Sequence, residues 1–148
     1  GSAALIRMVV DESSVPTIET GAGVCHVYID EFADLSKAVP IIINSKVQRP
    51  SVCNAAETLL VHSAIAQEFM PTALKALHEA GVIVHCDATS LAIAKSSDIP
   101  ATLATDENFC TEYGTLEMNV AIVDSVDAAS AHIAKYGTQH TEAILSEN

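Results

Sequence analysis

Apolar and polar residues alternate along this chain in two rhythms, one with a period of two and one with a helical period. Residues 24–29 alternate, with Cys25, Val27 and Ile29 on one face and Val24, His26 and Tyr28 on the other, which predicts a strand. Asp34 stands where a helix cap is needed, and Leu35, Ala38, Val39, Ile42 and Ile43 follow at helical spacing. Pro40 lies inside that run and predicts a kink, because proline removes a backbone donor. Residues 57–62 read as a buried strand. Ser63 reads as the cap of a second helix, with Ile65, Phe69, Leu74 and Leu77 on one face, Pro71 opening its second half and Gly81 ending it. Beyond it come a short strand at 82–85, a helical turn or two at 91–95, a loop-rich stretch over 96–116, a strand at 118–123, a helix at 126–135 and a last short strand at 143–145. Strands alternating with helices predict the α/β class: three layers, with a mostly parallel sheet flanked by helices.

Composition sharpens this picture. At 148 residues, 49% of them hydrophobic and only 18% charged, the chain suits one domain with a single core. Aromatics are 4%, so the core is built from Ala, Val, Ile and Leu, which suits layered α/β packing. A net charge of −12 repels phosphate backbones and acidic headgroups, so neither a nucleic acid nor a membrane surface is an expected partner. No apolar run approaches the roughly 20 residues that span a bilayer. The four cysteines, at 25, 53, 86 and 110, form no C-x-x-C pair. That spacing argues against structural zinc, and no metal is expected. Two disulfides are arithmetically possible, but the aliphatic core makes them unnecessary, and a reducing, cytoplasmic setting is the expectation.

Cys53 is the leading candidate for chemistry. It lies between a loop-forming Pro50-Ser51 and the apolar run Thr58-Leu59-Leu60-Val61, at the edge of a rigid element. A nucleophilic thiol needs local positive potential, and Lys46 and Arg49 lie just upstream. The alternative is that Cys53 is a small buried hydrophobe, and spacing leaves both readings open. Cys25 and Cys86 fall in strand-like runs, and Cys110 lies in a loop without basic neighbours.

In Glu19-Thr20-Gly21-Ala22-Gly23 the glycines allow a tight turn or close approach of a ligand. Position 26 is His, so the third glycine of a dinucleotide fingerprint is missing. Glu19 reads either as a general base or as a solvated carboxylate. His140 lies in a loop before the last strand and reads as a candidate or a merely exposed residue, whereas Glu112, in a loop before an aromatic, reads as a solvated loop residue.

Several blocks, in order, closely resemble the glutamate-5-semialdehyde dehydrogenase (γ-glutamyl phosphate reductase) family of the aldehyde dehydrogenase superfamily. They are residues 16–30, 33–35, Gln48-Arg49-Pro50-Ser51-Val52-Cys53-Asn54-Ala55, Glu57-Thr58-Leu59-Leu60-Val61-His62, Thr111-Glu112-Tyr113, and Tyr136-Gly137 with His140-Thr141-Glu142-Ala143-Ile144. The resemblance implies reduction of L-glutamate 5-phosphate with NADPH to glutamate 5-semialdehyde, the second step of proline biosynthesis. Cys53 matches the nucleophile. Glu19 falls where the superfamily has the Glu of its Glu-Leu-Gly-Gly motif, and Glu112 where it has a Glu that holds the nicotinamide ribose. Arg49 and His140 are expected to contact the anionic substrate on grounds of charge and location, with Asn54 as a further substrate contact.

The resemblance implies a full member of about 400 residues, with a nucleotide-binding domain before this region and more chain after it. The resemblance therefore implies that residues 1–148 are a catalytic, thiol-bearing domain excised from a larger enzyme, poor at binding NADPH by itself. It also implies a homo-oligomeric parent, with association to a glutamate kinase as a further expectation.

Overall fold

The computed structural model describes residues 3–18 and 21–148, so the expectation for Glu19 lies outside the described residues. The elements are α1 (Ala3–Glu12), β1 (Cys25–Ile29), α2 (Leu35–Val47), β2 (Ala56–His62), α3 (Ser63–Glu79), β3 (Ile83–Cys86), α4 (Ala88–Ser96), β4 (Thr102–Leu103), α5 (Asp106–Phe109), β5 (Glu117–Val123), α6 (Val126–Tyr136) and β6 (Glu142–Leu145). The strands form one sheet in the order β4-β3-β5-β2-β1-β6. Every pairing is parallel, where the sequence led us to expect a mostly parallel sheet. Among the described residues, no helix is long and apolar enough to cross a membrane.

Alternation along the strands builds two unequal faces. Val27, Ile29, Leu59, Val61, Met118 and Val120 point to one side, where α2, α3 and α4 cover them with Ala38, Ile42, Phe69, Leu74, Leu77 and Ile93. Each fully buried aliphatic side chain there contributes about 1.5–3 kcal/mol. The other face is smaller: Tyr28, Leu60 and Ala121 meet Phe109 of α5 and Ala129 of α6. All seven residues of β2 are buried, as befits the strand near the middle of a parallel sheet.

Local signals mostly hold. Asp34 caps α2, its carboxylate accepting the Ser36 amide at 3.0 Å. Gly81, at φ +80°, takes the left-handed position just past α3. Three details differ. His62, not Ser63, caps α3, with its Nδ1 accepting the Ala64 amide at 3.1 Å. α3 runs unbroken through Pro71, so no second half begins there. The stretch 96–116 holds the two-residue β4 and the one-turn α5, the latter closed by a capping box between Thr105 and Asn108.

Candidate active site

The loop between α2 and β2 is two β-turns in series. The Val52 amide donates to the Arg49 carbonyl at 3.2 Å, and the Ala55 amide to the Val52 carbonyl at 3.0 Å. Pro50 takes the second position of the first turn, where its fixed φ fits. Cys53 and Asn54 are the central pair of the second turn, and both are exposed. Exposure removes the reading of Cys53 as a buried hydrophobe. Arg49 is exposed in the same loop.

The base of this loop is stapled. Lys46 Nζ lies 2.7 Å from Glu57 Oε2, and both side chains are buried. The other Glu57 oxygen accepts the Gly114 amide at 3.3 Å. One carboxylate therefore joins the end of α2, the start of β2 and the segment that carries Glu112. Burial pushes the Glu57 carboxyl up, against the pull of Lys46. This overturns one expectation: Lys46 is committed to Glu57, so of the two upstream cations only Arg49 stays exposed beside Cys53. Tyr113 anchors the same segment through its hydroxyl, which donates to Asn119 Oδ1 at 2.9 Å. Glu112 itself is exposed at the amino end of β5.

The carbonyl of Cys53 points into the start of β1. A Cβ on Gly23 would overlap that oxygen and lie 2.9 Å from its carbon, so only glycine fits. The glycine lets the backbone of Cys53 approach, rather than a ligand. Cys25 Sγ donates to the same oxygen at 3.3 Å. His140 Nδ1 lies 3.8 Å from Cys25 Sγ and 2.9 Å from Thr141 Oγ1. Burial, and then the nearby Glu142 carboxylate, push the Cys25 thiol up to about 11, so it remains protonated and able to donate.

Glu142 in turn is held by His26, whose amide and Nδ1 lie 2.8 and 2.9 Å from its Oε2. Burial, with His132 nearby, pulls His26 down to about 4, so the imidazole is neutral and Nδ1–H is the donor.

Cys53, Arg49, Asn54, Glu112 and His140 thus all lie at the amino ends of the strands. Open parallel sheets usually bind ligands at the opposite, carboxyl ends. At that edge, Asp30, Glu31, His62, Asp124 and Ser125 line an acidic cleft of about 510 Å³. None of the sequence candidates falls there. Cys86 is buried at the end of β3, and Cys110 is exposed after α5. Sequence pattern assigns no role to Cys25 and singles out neither Glu57 nor the His26–Glu142 pair. Their partners lie 11 to 116 positions away, which no spacing rule spans.

The described residues thus form a wholly parallel α/β sheet with an exposed cysteine on a turn at its amino edge. Over its whole length, the chain is homologous to one part of the γ-glutamyl phosphate reductases. It is 58% identical over 146 residues to the γ-glutamyl phosphate reductase of Kineococcus radiotolerans, covering 99% of this chain and 34% of that protein. The crystal structure of γ-glutamyl phosphate reductase from Thermotoga maritima matches with a TM-score of 0.93 and 47% identity, over 100% of this chain and 35% of that one. An acetylating aldehyde dehydrogenase from Geobacillus thermoglucosidasius shares the fold, with a TM-score of 0.69 at 21% identity, over 100% of this chain and 40% of that one. No protein-family model matches the chain. The chain spans about a third of the length of the curated relatives it matches.

Proposed function

We propose that this chain is the thiol-bearing catalytic domain of a γ-glutamyl phosphate reductase roughly three times its length. Such an enzyme reduces L-glutamate 5-phosphate with NADPH to glutamate 5-semialdehyde and phosphate, in proline biosynthesis. The end-to-end likeness to γ-glutamyl phosphate reductases is the observation that carries this reading.

The Cys53 thiolate attacks the acyl-phosphate carbonyl carbon. Phosphate leaves with the electrons of the C–O bond, and the acyl group stays on sulfur. The Cys53 amide is a central amide of its turn and makes no bond across it, so it is free to donate to the developing oxyanion. Arg49, Asn54 and His140 hold the anionic substrate. Glu112 fits the ribose of a nicotinamide nucleotide, since an exposed carboxylate accepts from vicinal hydroxyls. The nucleotide, when bound, would supply hydride to the thioacyl carbon, forming its new C–H bond and leaving a hemithioacetal on Cys53. Collapse of the hemithioacetal then breaks the C–S bond, releases the aldehyde and restores the thiolate. No water is activated along this route, so Glu19 orients or polarises rather than acting as a hydrolytic base. The remaining nucleotide contacts are assigned to the rest of the enzyme, so the isolated chain binds NADPH weakly and does not turn over.

In the full-length enzyme, Cys53→Ala should lower kcat at least about a thousandfold. Turnover kept at a tenth of wild type or better would overturn the assignment of the nucleophile. Assays with acyl phosphates and acyl thioesters test the substrate class, and a preference for thioesters would move the enzyme to the acylating aldehyde dehydrogenases. In the isolated chain, iodoacetamide should label Cys53 ahead of Cys25, Cys86 and Cys110.

A further inference from the structure

We infer that Cys25 is a positioning residue: its thiol fixes the peptide between Cys53 and Asn54 and so presents the Asn54 amide to the substrate oxygen as a second oxyanion donor. The inference rests on reading Cys53 as the nucleophile.

That peptide is trans, like every described peptide bond in the chain, so its C=O and N–H point in opposite directions. The C=O is directed into the start of β1. It meets the bare Cα side of Gly23, where no side chain fits, and it accepts from Cys25 Sγ at 3.3 Å. The Asn54 N–H must then point away from Gly23 and Cys25, and both Cys53 and Asn54 are exposed residues. As the third residue of the turn Val52–Ala55, Asn54 has an amide that closes no bond across that turn. Two adjacent amides, those of Cys53 and Asn54, thus have no hydrogen-bond partner among the described residues. An acyl carbon attacked by Cys53 develops its negative oxygen within reach of such a pair.

Cys25 is suited to this task because it does not react. It is buried, and the nearby Glu142 carboxylate opposes its ionisation, so its proton stays available for the carbonyl. The register of β1 against β2 slips between Cys25 and His26, and that irregularity falls where the thiol leaves the strand ladder for the turn.

The test compares Cys25→Ala, which removes the donor, with Cys25→Ser, which keeps one, in the full-length enzyme. Cys25→Ala should lower kcat by about 10- to 100-fold with little change in KM for the acyl phosphate, and Cys25→Ser should recover most of it. Iodoacetamide labelling of Cys53 should stay within about twofold in both variants, because alkylation develops no oxyanion. A wild-type kcat in Cys25→Ala overturns the inference. So does an equal loss in both variants accompanied by equal loss of thermal stability, since that is the mark of packing alone. If instead Cys53→Ala keeps its turnover, the reading of the nucleophile fails and takes this inference with it.

Discussion

Lys46 with Glu57 on one face of the sheet and His26 with His132 on the other are buried polar stations built on opposite principles. On the α2 face, Lys46 and Glu57 form an ion pair at 2.7 Å, and the second carboxylate oxygen of Glu57 accepts an amide. On the α6 face, His26 and His132 stand edge to face with ring centroids 5.6 Å apart, each with a buried Nε2 that has no partner among the described residues. The first station tolerates charge because every charge is answered. The second tolerates polarity only because it stays neutral. Burial can be balanced by pairing or by suppressing ionisation, and this molecule places one solution on each side of the strands that carry its candidate site.

The largest effect should come from unpairing the first station. Lys46→Met strands Glu57 and should cost about 3–5 kcal/mol in urea unfolding. The double variant Lys46→Met/Glu57→Leu should recover part of that loss, with the Gly114 amide left lacking an acceptor at a cost of about 1–3 kcal/mol. If the double variant is no more stable than the single one, the pair is not the source of the penalty.

Acid should strike the second station next. An unfolded imidazole titrates near 6.5, whereas folded His26 stays neutral down to about 4. As pH falls, the unfolded chain therefore binds the proton first. Stability present above about pH 6.5 is lost between there and about pH 4, by an amount on the order of 3 kcal/mol. The Glu142 carboxyl, pushed up by burial, works in the opposite sense at the lower end of that window. A pH series of denaturation midpoints should flatten in His26→Gln, and an unchanged slope would assign the acid loss to other groups.

The smallest effect should come from His132→Phe. It removes one orphaned nitrogen and keeps ring contacts with Phe109 and Tyr136, whose centroids lie 4.9 and 4.6 Å away. At neutral pH we expect no loss, or a gain of up to about 1 kcal/mol. Clear destabilisation would mean that the His132 nitrogen has a partner in solution.

The interior strands were legible because burial on both faces leaves long apolar runs with β-branched residues, as in β2 and β5. The elements in 96–116 were not, because two residues of β4 and four of α5 are too short to establish a period. α1 is an addition to the sequence reading, although Leu5, Ile6, Val9 and Val10 recur at helical spacing there. His62 displaced the more obvious Ser63 as a cap because its ring nitrogen reaches the same amide. At the site, the sequence marked Cys53 but left its exposure open, and exposure depends on how two turns fold. Cys25 reads in the sequence as an ordinary strand residue, since nothing local reveals a bond to a carbonyl 28 positions away.

β6, which begins two residues after His140 and carries Glu142, pairs among the described residues only with β1 and lies at the edge of the sheet. Its residues are mostly exposed, and its bond to His26 joins positions 116 apart. Contacts of such long sequence separation form late, and an edge strand with few buried side chains opens early. The His140 side of the site is therefore the last part to assemble and the first to fray. On warming, amide protection in β6 should fall before the core unfolds, and the thiol should outlast the pocket around it.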